Sequence, residues 1–255
     1  MRMESCSTVR SRAQLVDPND PAEEGGVLAP EPMIEPEAPK ATDAPVVDED
    51  PQTRAGRAIM RKAAEALRNA GGLSYTAVAS AEGGLLENTS PFTRGLVRGR
   101  RMGTGTRAGV WLIRATGSGS QGKNKEPREF DVAWRQQSVE WVDHEARKVH
   151  ESNVTTRTGP AFQIGSSSKF DDMLQSVPLR DQVNAERYVI EGRETVNGVE
   201  CDVLLVEMAG NKKQRWWLAV SDGLPRRVDR LIESSIVNGH MRLDLLDVAA
   251  FPVGS

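Results

Sequence analysis

No apolar run in these 255 residues is long enough to cross a bilayer as a helix. Cysteine is nearly absent. Cys6 lies in a polar N-terminal stretch and Cys201 in an expected buried strand, an implausible pair for a disulfide on geometric grounds. Neither a CxxC nor a Cys/His spacing suited to a metal occurs. There is no GxSxG elbow, and nothing in the chain singles out a Ser-His-Asp arrangement. These absences exclude a transmembrane-helix protein, a disulfide scaffold and a zinc module. They leave no catalytic residue, metal ligand or cofactor to name. The start, Met1 to Cys6, lacks the apolar segment of a signal peptide. Two expectations stay open: a cytoplasmic chain, or a start inside a longer precursor, with Cys6 weighed as a lipid-attachment site.

What is there begins with an acidic stretch. Between Asp17 and Asp50 the chain carries eleven acids against one base, Lys40, and seven prolines from Pro18 to Pro45. Apolar residues in it are sparse and unpatterned. Such a segment cannot bury enough surface to offset its ordering entropy. Residues 1–50 are therefore expected to be a disordered acidic tail, and 51–255 one α+β domain. That body is mildly basic. Its bases alternate with acids along expected strands, as in Arg226-Arg227-Val228-Asp229-Arg230, which is the pattern of a solvated sheet face. No recognition helix or RNP pattern accompanies the charge, so nucleic acid is not an expected partner.

The first element predicted is a helix over about 53–70. Pro51 suits its first turn, Asp50 or Thr53 its cap, and Gly71-Gly72 its end. Its stripe is mostly alanine, so it can lie close to what it covers. Strands follow at 73–79, 94–102, 109–115, 130–134, 138–142 and 148–150. A helix is expected from Ser168 as cap, with Phe170, Met173, Leu174 and Val177 on one face, then a short turn at Leu179 to Val183. Five strands close the chain, at about 186–196, 199–208, 213–220, 225–234 and 241–249. Asn197-Gly198, Asp222-Gly223 and Asn238-Gly239 read as their hairpin turns.

One motif is tempting. Gly117-Ser118-Gly119-Ser120-Gln121-Gly122-Lys123-Asn124 nearly spells a phosphate-cradling P-loop. Asn124 stands where a magnesium-binding hydroxyl is needed, and no helix begins there to aim its amides at a phosphate. A mobile Gly/Ser hairpin loop is expected instead. His144 and His150, near Asp143 and Glu145, fall in a hairpin turn and its return strand, without metal-ligand spacing.

Aromatic residues are only 5% of the chain, so the five tryptophans stand out. Trp111, Trp134, Trp141, Trp216 and Trp217 all fall on expected strands. Trp216 and Trp217 are adjacent and must point to opposite faces. The strand 199–208 is apolar on both faces: Val199, Cys201, Val203 and Leu205 on one, Leu204, Val206 and Met208 on the other. An open sheet with one wet face does not need that. Something is expected to cover both.

The C-terminal meander carries a resemblance. Glu194-Thr195-Val196-Asn197-Gly198-Val199-Glu200-Cys201-Asp202, then Arg215-Trp216-Trp217-Leu218, then Gly223-Leu224-Pro225-Arg226-Arg227 occur in order. This resembles uncharacterised predicted periplasmic proteins of the LolA/LolB-like lipoprotein-carrier superfamily. The resemblance implies a curved antiparallel sheet, a half-open β-barrel, with an N-terminal helix and short central helices on the concave face. It also implies a place in the periplasm or cell envelope and an apolar cavity for a lipid, acyl chain or lipoprotein. Ligand-binding residues are expected at Trp111, Trp134, Trp141, Leu204, Val206, Trp216 and Trp217. The leading expectation is a non-enzymatic envelope protein. The alternatives are an interaction module with a side-chain-filled cavity, presented to an envelope protein partner, and an unrecognised hydrolase.

Overall fold

The computed structural model describes residues 49–102, 110–135, 138–144, 146–153, 160–168, 171–234 and 236–252. The expected tail lies outside them up to residue 48. Helix α1 runs Pro51–Asn69. The Asp50 carboxylate accepts from Thr53 N at 3.0 Å, and proline occupies its first turn, where no amide partner is lost. Its buried face is Gly56, Met60, Ala63, Ala64 and Leu67.

The remainder is one antiparallel sheet of eleven strands: β1 Gly72–Glu82, β2 Pro91–Arg101, β3 Trp111–Gln121, β4 Arg128–Arg135, β5 Ser138–Asp143, β6 Lys148–Asn153, β7 Arg187–Val196, β8 Val199–Met208, β9 Lys212–Ala219, β10 Pro225–Glu233 and β11 Asn238–Phe251. Their order is β6-β5-β4-β3-β2-β1-β11-β10-β9-β8-β7. Two meanders are thus joined by pairing the first strand with the last. The sheet is curved and does not close into a barrel. The short helices are α2 Leu85–Thr89, α3 Pro160–Ser168 and α4 Arg180–Val183.

The register assigns the faces. Ala79 lies beside Leu243, Leu243 beside Val228, Val228 beside Trp216, Trp216 beside Leu204 and Leu204 beside Ile190. Cross-strand partners share a face, so this row crosses six strands on one side. The side chains of Met60 and Leu67 from α1, Ile164 from α3, and Met173, Leu174 and Leu179 from the segment after it join these rows in one core. The opposite face carries charges. Arg215 pairs with Glu191, Arg227 with Asp244, Arg242 with Asp229, Arg193 with Asp202 and Arg114 with Asp131.

Three local expectations are corrected. The Gly117-Ser118-Gly119-Ser120 stretch is not a mobile loop but the second half of β3, paired with β2 on one side and with β4 over Gly117 to Gly119 on the other. Glycine is required there by close approach: a Cβ on Gly119 would lie 2.6 Å from Phe92 O and 2.8 Å from Ile164 Cγ2. Ser168 does not cap a following helix. It is the last residue of α3, and its hydroxyl donates back to Gly165 O at 2.6 Å. Turns follow over 171–179, where Met173 and Leu174 are buried and Val177 is exposed. Phe170 lies outside the described residues. Asn238-Gly239 is not a turn either; both residues are paired in β11. Chain reversal occurs at Ser234 to Val237, where the Ser234 hydroxyl accepts from Val237 N at 2.9 Å. Asn197-Gly198 is a hairpin turn as expected, with φ of 51° and 79°.

Candidate ligand site on the helix-covered face

Six of the seven expected site residues lie on the helix-covered side. Trp111, Trp134 and Trp141 stand on β3, β4 and β5. Leu204, Val206 and Trp216 stand on β8 and β9. All six are buried within the main core. Register brings Leu204 against Trp216 and Ile113 against Trp134, and Trp141 stacks on His150 at 5.1 Å. The two groups occupy opposite halves of the sheet. The indole N–H of Trp111 is buried with no partner among the described residues. Trp217 points the other way, into a second small cluster with Val196, Cys201, Val203 and Ala219. There its N–H donates to Glu194 Oε2 at 2.8 Å, and the Arg227 guanidinium lies 5.3 Å over its ring.

Two voids lie on or beside the helix-covered face, and none of these seven residues lines either. A cavity of about 120 Å³ sits between Ser166 and Ser167 of α3 and the floor made by Ala79, Val228 and Leu243. A cleft of about 470 Å³ opens at the end of β8 to β10, walled by Met208, Gln214, Leu231 and Ile232. Arg230 lines both. Helix α1 is tied to the β9–β10 turn, where Lys62 donates to Val220 O, and to β7, where Gly56 lies against Tyr188.

A polar chain anchors the cleft. Trp216 Nε1 donates to Gln214 Oε1 at 3.0 Å. Gln182 Nε2 donates to the same oxygen at 3.1 Å and to Asp172 Oδ2 at 2.9 Å. The side-chain oxygen of Gln182, Oε1, is buried and unpartnered among the described residues. Burial pushes the Asp172 carboxyl above the usual aspartate range, against the opposing pull of Arg230 and the Gln182 hydrogen bond. Sequence reasoning missed Gln182, Gln214 and Arg230. Gln214 was within reach of it: two residues before Trp216 on a strand, it must share that tryptophan's face.

Among the described residues no cluster of three or more His, Cys, Asp or Glu could hold a metal ion. Lys123 of the glycine-rich motif is held by Glu87 of α2 at 3.0 Å, and the element after it is strand β4 rather than a helix.

No family model matches the chain, and no curated protein matches it. Solved structures do. The chain is similar to LprF from Mycobacterium bovis, at 10% identity and a TM-score of 0.48 over 80% of this chain and 98% of that one. It is similar to the Mycobacterium tuberculosis lipoprotein LppX, at 12% identity and 0.46 over 75% and 93%. A third is a putative outer membrane lipoprotein-sorting protein domain from Vibrio parahaemolyticus, at 12% identity and 0.32 over 78% and 93%. These likenesses are of architecture alone.

Proposed function

We propose that this is a non-enzymatic cell-envelope protein that binds an apolar ligand, a lipid, acyl chain or lipoprotein, between its sheet and its helices. The observation that supports the reading is the pair of voids meeting at Arg230, apolar inside at Ala79, Val228 and Leu243 and polar at the rim. The inner cavity, at about 120 Å³, is smaller than the roughly 150 Å³ hole that takes a benzene ring. An acyl chain of a dozen carbons therefore enters only if the cover moves. The cover over this cavity is α3, which packs closely through glycines. A Cβ on Gly165 would meet Val132 at 2.7 Å, and Gly119 sits under Ile164. Each buried CH₂ contributes about 0.8 kcal/mol, so a dozen supply about 10 kcal/mol, enough to offset the lower and middle part of an association cost of roughly 4–15 kcal/mol.

The experiment is titration of delipidated protein with fatty acids of increasing length, read by tryptophan fluorescence. Affinity rising with chain length supports the carrier. A flat response favours the interaction module with a filled interior, a reading supported by the tight burial of Trp111, Trp134, Trp141 and Trp216.

A further inference from the structure

The charged face of the sheet has one exception to its pairing. Bases on β3, β7, β9, β10 and β11 find acids on neighbouring strands. On β2, Arg94, Arg98 and Arg100 are exposed and make no ion pair among the described residues. All three stand on the face opposite the helices, since the residues between them alternate inward: Gly95 lies against Phe130, and Val97 is fully buried. The neighbouring acids Asp131 and Asp244 are already held by Arg114 and Arg227.

Apolar side chains flank this stripe. In register, Phe251 lies beside Gly72, Gly72 beside Arg100 and Arg100 beside Leu112. Phe251 is 47% exposed and Leu112 40%. Gly72 has no side chain to separate the Phe251 ring from Arg100. On β1 the same face offers Ser74, Thr76 and Val78 beside Arg98, Leu96 and Arg94. The stripe from Arg94 to Arg100 is about 20 Å long, and Phe251 to Leu112 spans three strand spacings, about 14 Å. The surface is broad and has an excess of positive charge: Asp131 and Asp244 are already bound, Glu129 lies across from Ser118, and two large exposed apolar groups stand at one end.

We propose that this face of β11, β1, β2 and β3 rests on an anionic lipid bilayer. The guanidiniums meet phosphate head groups, to which arginine bonds in bidentate fashion. Phe251 and Leu112 enter the interfacial layer, as the apolar groups of membrane-surface binders do. An acidic protein partner fits less well, because exposed phenylalanine and leucine with unpaired arginine match a mixed head-group and acyl boundary more directly than a carboxylate surface. The site lies on the opposite face from the voids and stands independently of the ligand reading.

The test is flotation of the full chain with phosphatidylcholine vesicles, with and without phosphatidylglycerol. Binding is expected only to the anionic vesicles and weakens with salt. Each arginine contributes about fivefold in partitioning, so Arg94→Ala, Arg98→Ala and Arg100→Ala together lower it about a hundredfold. Leu112→Ser with Phe251→Ser leaves the salt dependence but lowers affinity. Arg193→Ala, a paired base remote on the same face, changes nothing. Circular dichroism checks that each variant is folded. Absence of binding to anionic vesicles overturns the proposal, as does binding indifferent to the triple substitution. Binding to polyglutamate but not to vesicles also overturns it and assigns the stripe to an acidic polypeptide.

Discussion

Trp216 and Trp217 are neighbours in the chain and belong to different cores. Trp216 is fully buried under the helices, with its N–H on Gln214. Trp217 is buried on the far face between Glu194 and Arg227. Trp216→Ala is expected to destabilise the protein by about 3–5 kcal/mol. Trp217→Ala lies at or below the lower end of that range, since its cluster is small. Urea denaturation of both variants measures the difference. Equal losses would contradict the two-core description.

Gly165→Ala sets two effects against each other. Alanine improves helix propensity by up to about 1 kcal/mol. The added methyl would lie 2.7 Å from Val132 Cγ2 and 3.0 Å from Phe130 Cδ2, and such overpacking costs about 1–3 kcal/mol. The clash is expected to win. Hydrogen exchange should show faster exchange in α3, with β8 and β9 unchanged.

Asp229 is almost fully buried and takes two hydrogen bonds from Arg242, both at 2.8 Å. Arg242→Met leaves that carboxylate without its main partner, at a cost of about 3–5 kcal/mol. Arg242→Leu combined with Asp229→Leu should recover most of the loss. A double-mutant cycle in urea measures the coupling.

Burial raises the Asp172 carboxyl above its ordinary value. The native state therefore holds this proton more tightly than the unfolded chain does. The stabilisation is complete below the unfolded value and is lost as pH rises through the folded one. Asp172→Asn is expected to be more stable than the parent at neutral pH and equal to it in acid. Denaturation midpoints at the two pH values test the sign.

Burial also raises the Cys201 thiol, against the opposing pull of Arg226. Its side chain is inaccessible. Iodoacetamide should leave Cys201 unmodified in the folded protein and label it in denaturant, as read by peptide mapping.

Local chemistry made much of the fold legible. Asp50 and Pro51 start α1 because capping and proline geometry act within a few residues. Asn197-Gly198 turns because it supplies two positive φ angles. The alternation of Leu204 and Val206 against Cys201 and Val203 announced two covered faces, and both clusters exist. Long-range contacts decided what escaped. Asn238-Gly239 has turn chemistry, but Gly239 is needed where a Cβ would lie 2.1 Å from Glu82 O. The 117–121 glycines look like a loop because the helix that presses on one of them comes some forty residues later.

The sequence by itself determined an antiparallel α+β domain, the opposite facing of Trp216 and Trp217, and the doubly covered β8, since these follow from two-residue periodicity and turn stereochemistry. Tertiary structure alone decided that Trp216 is the inward one, that Gln182, Gln214 and Asp172 form one hydrogen-bonded chain, and that Arg94, Arg98 and Arg100 make no ion pair among the described residues. Each of these depends on which strand lies beside which. The β1–β11 pairing that sets it joins the two meanders at the middle of the sheet across more than 150 residues, and no local pattern encodes it.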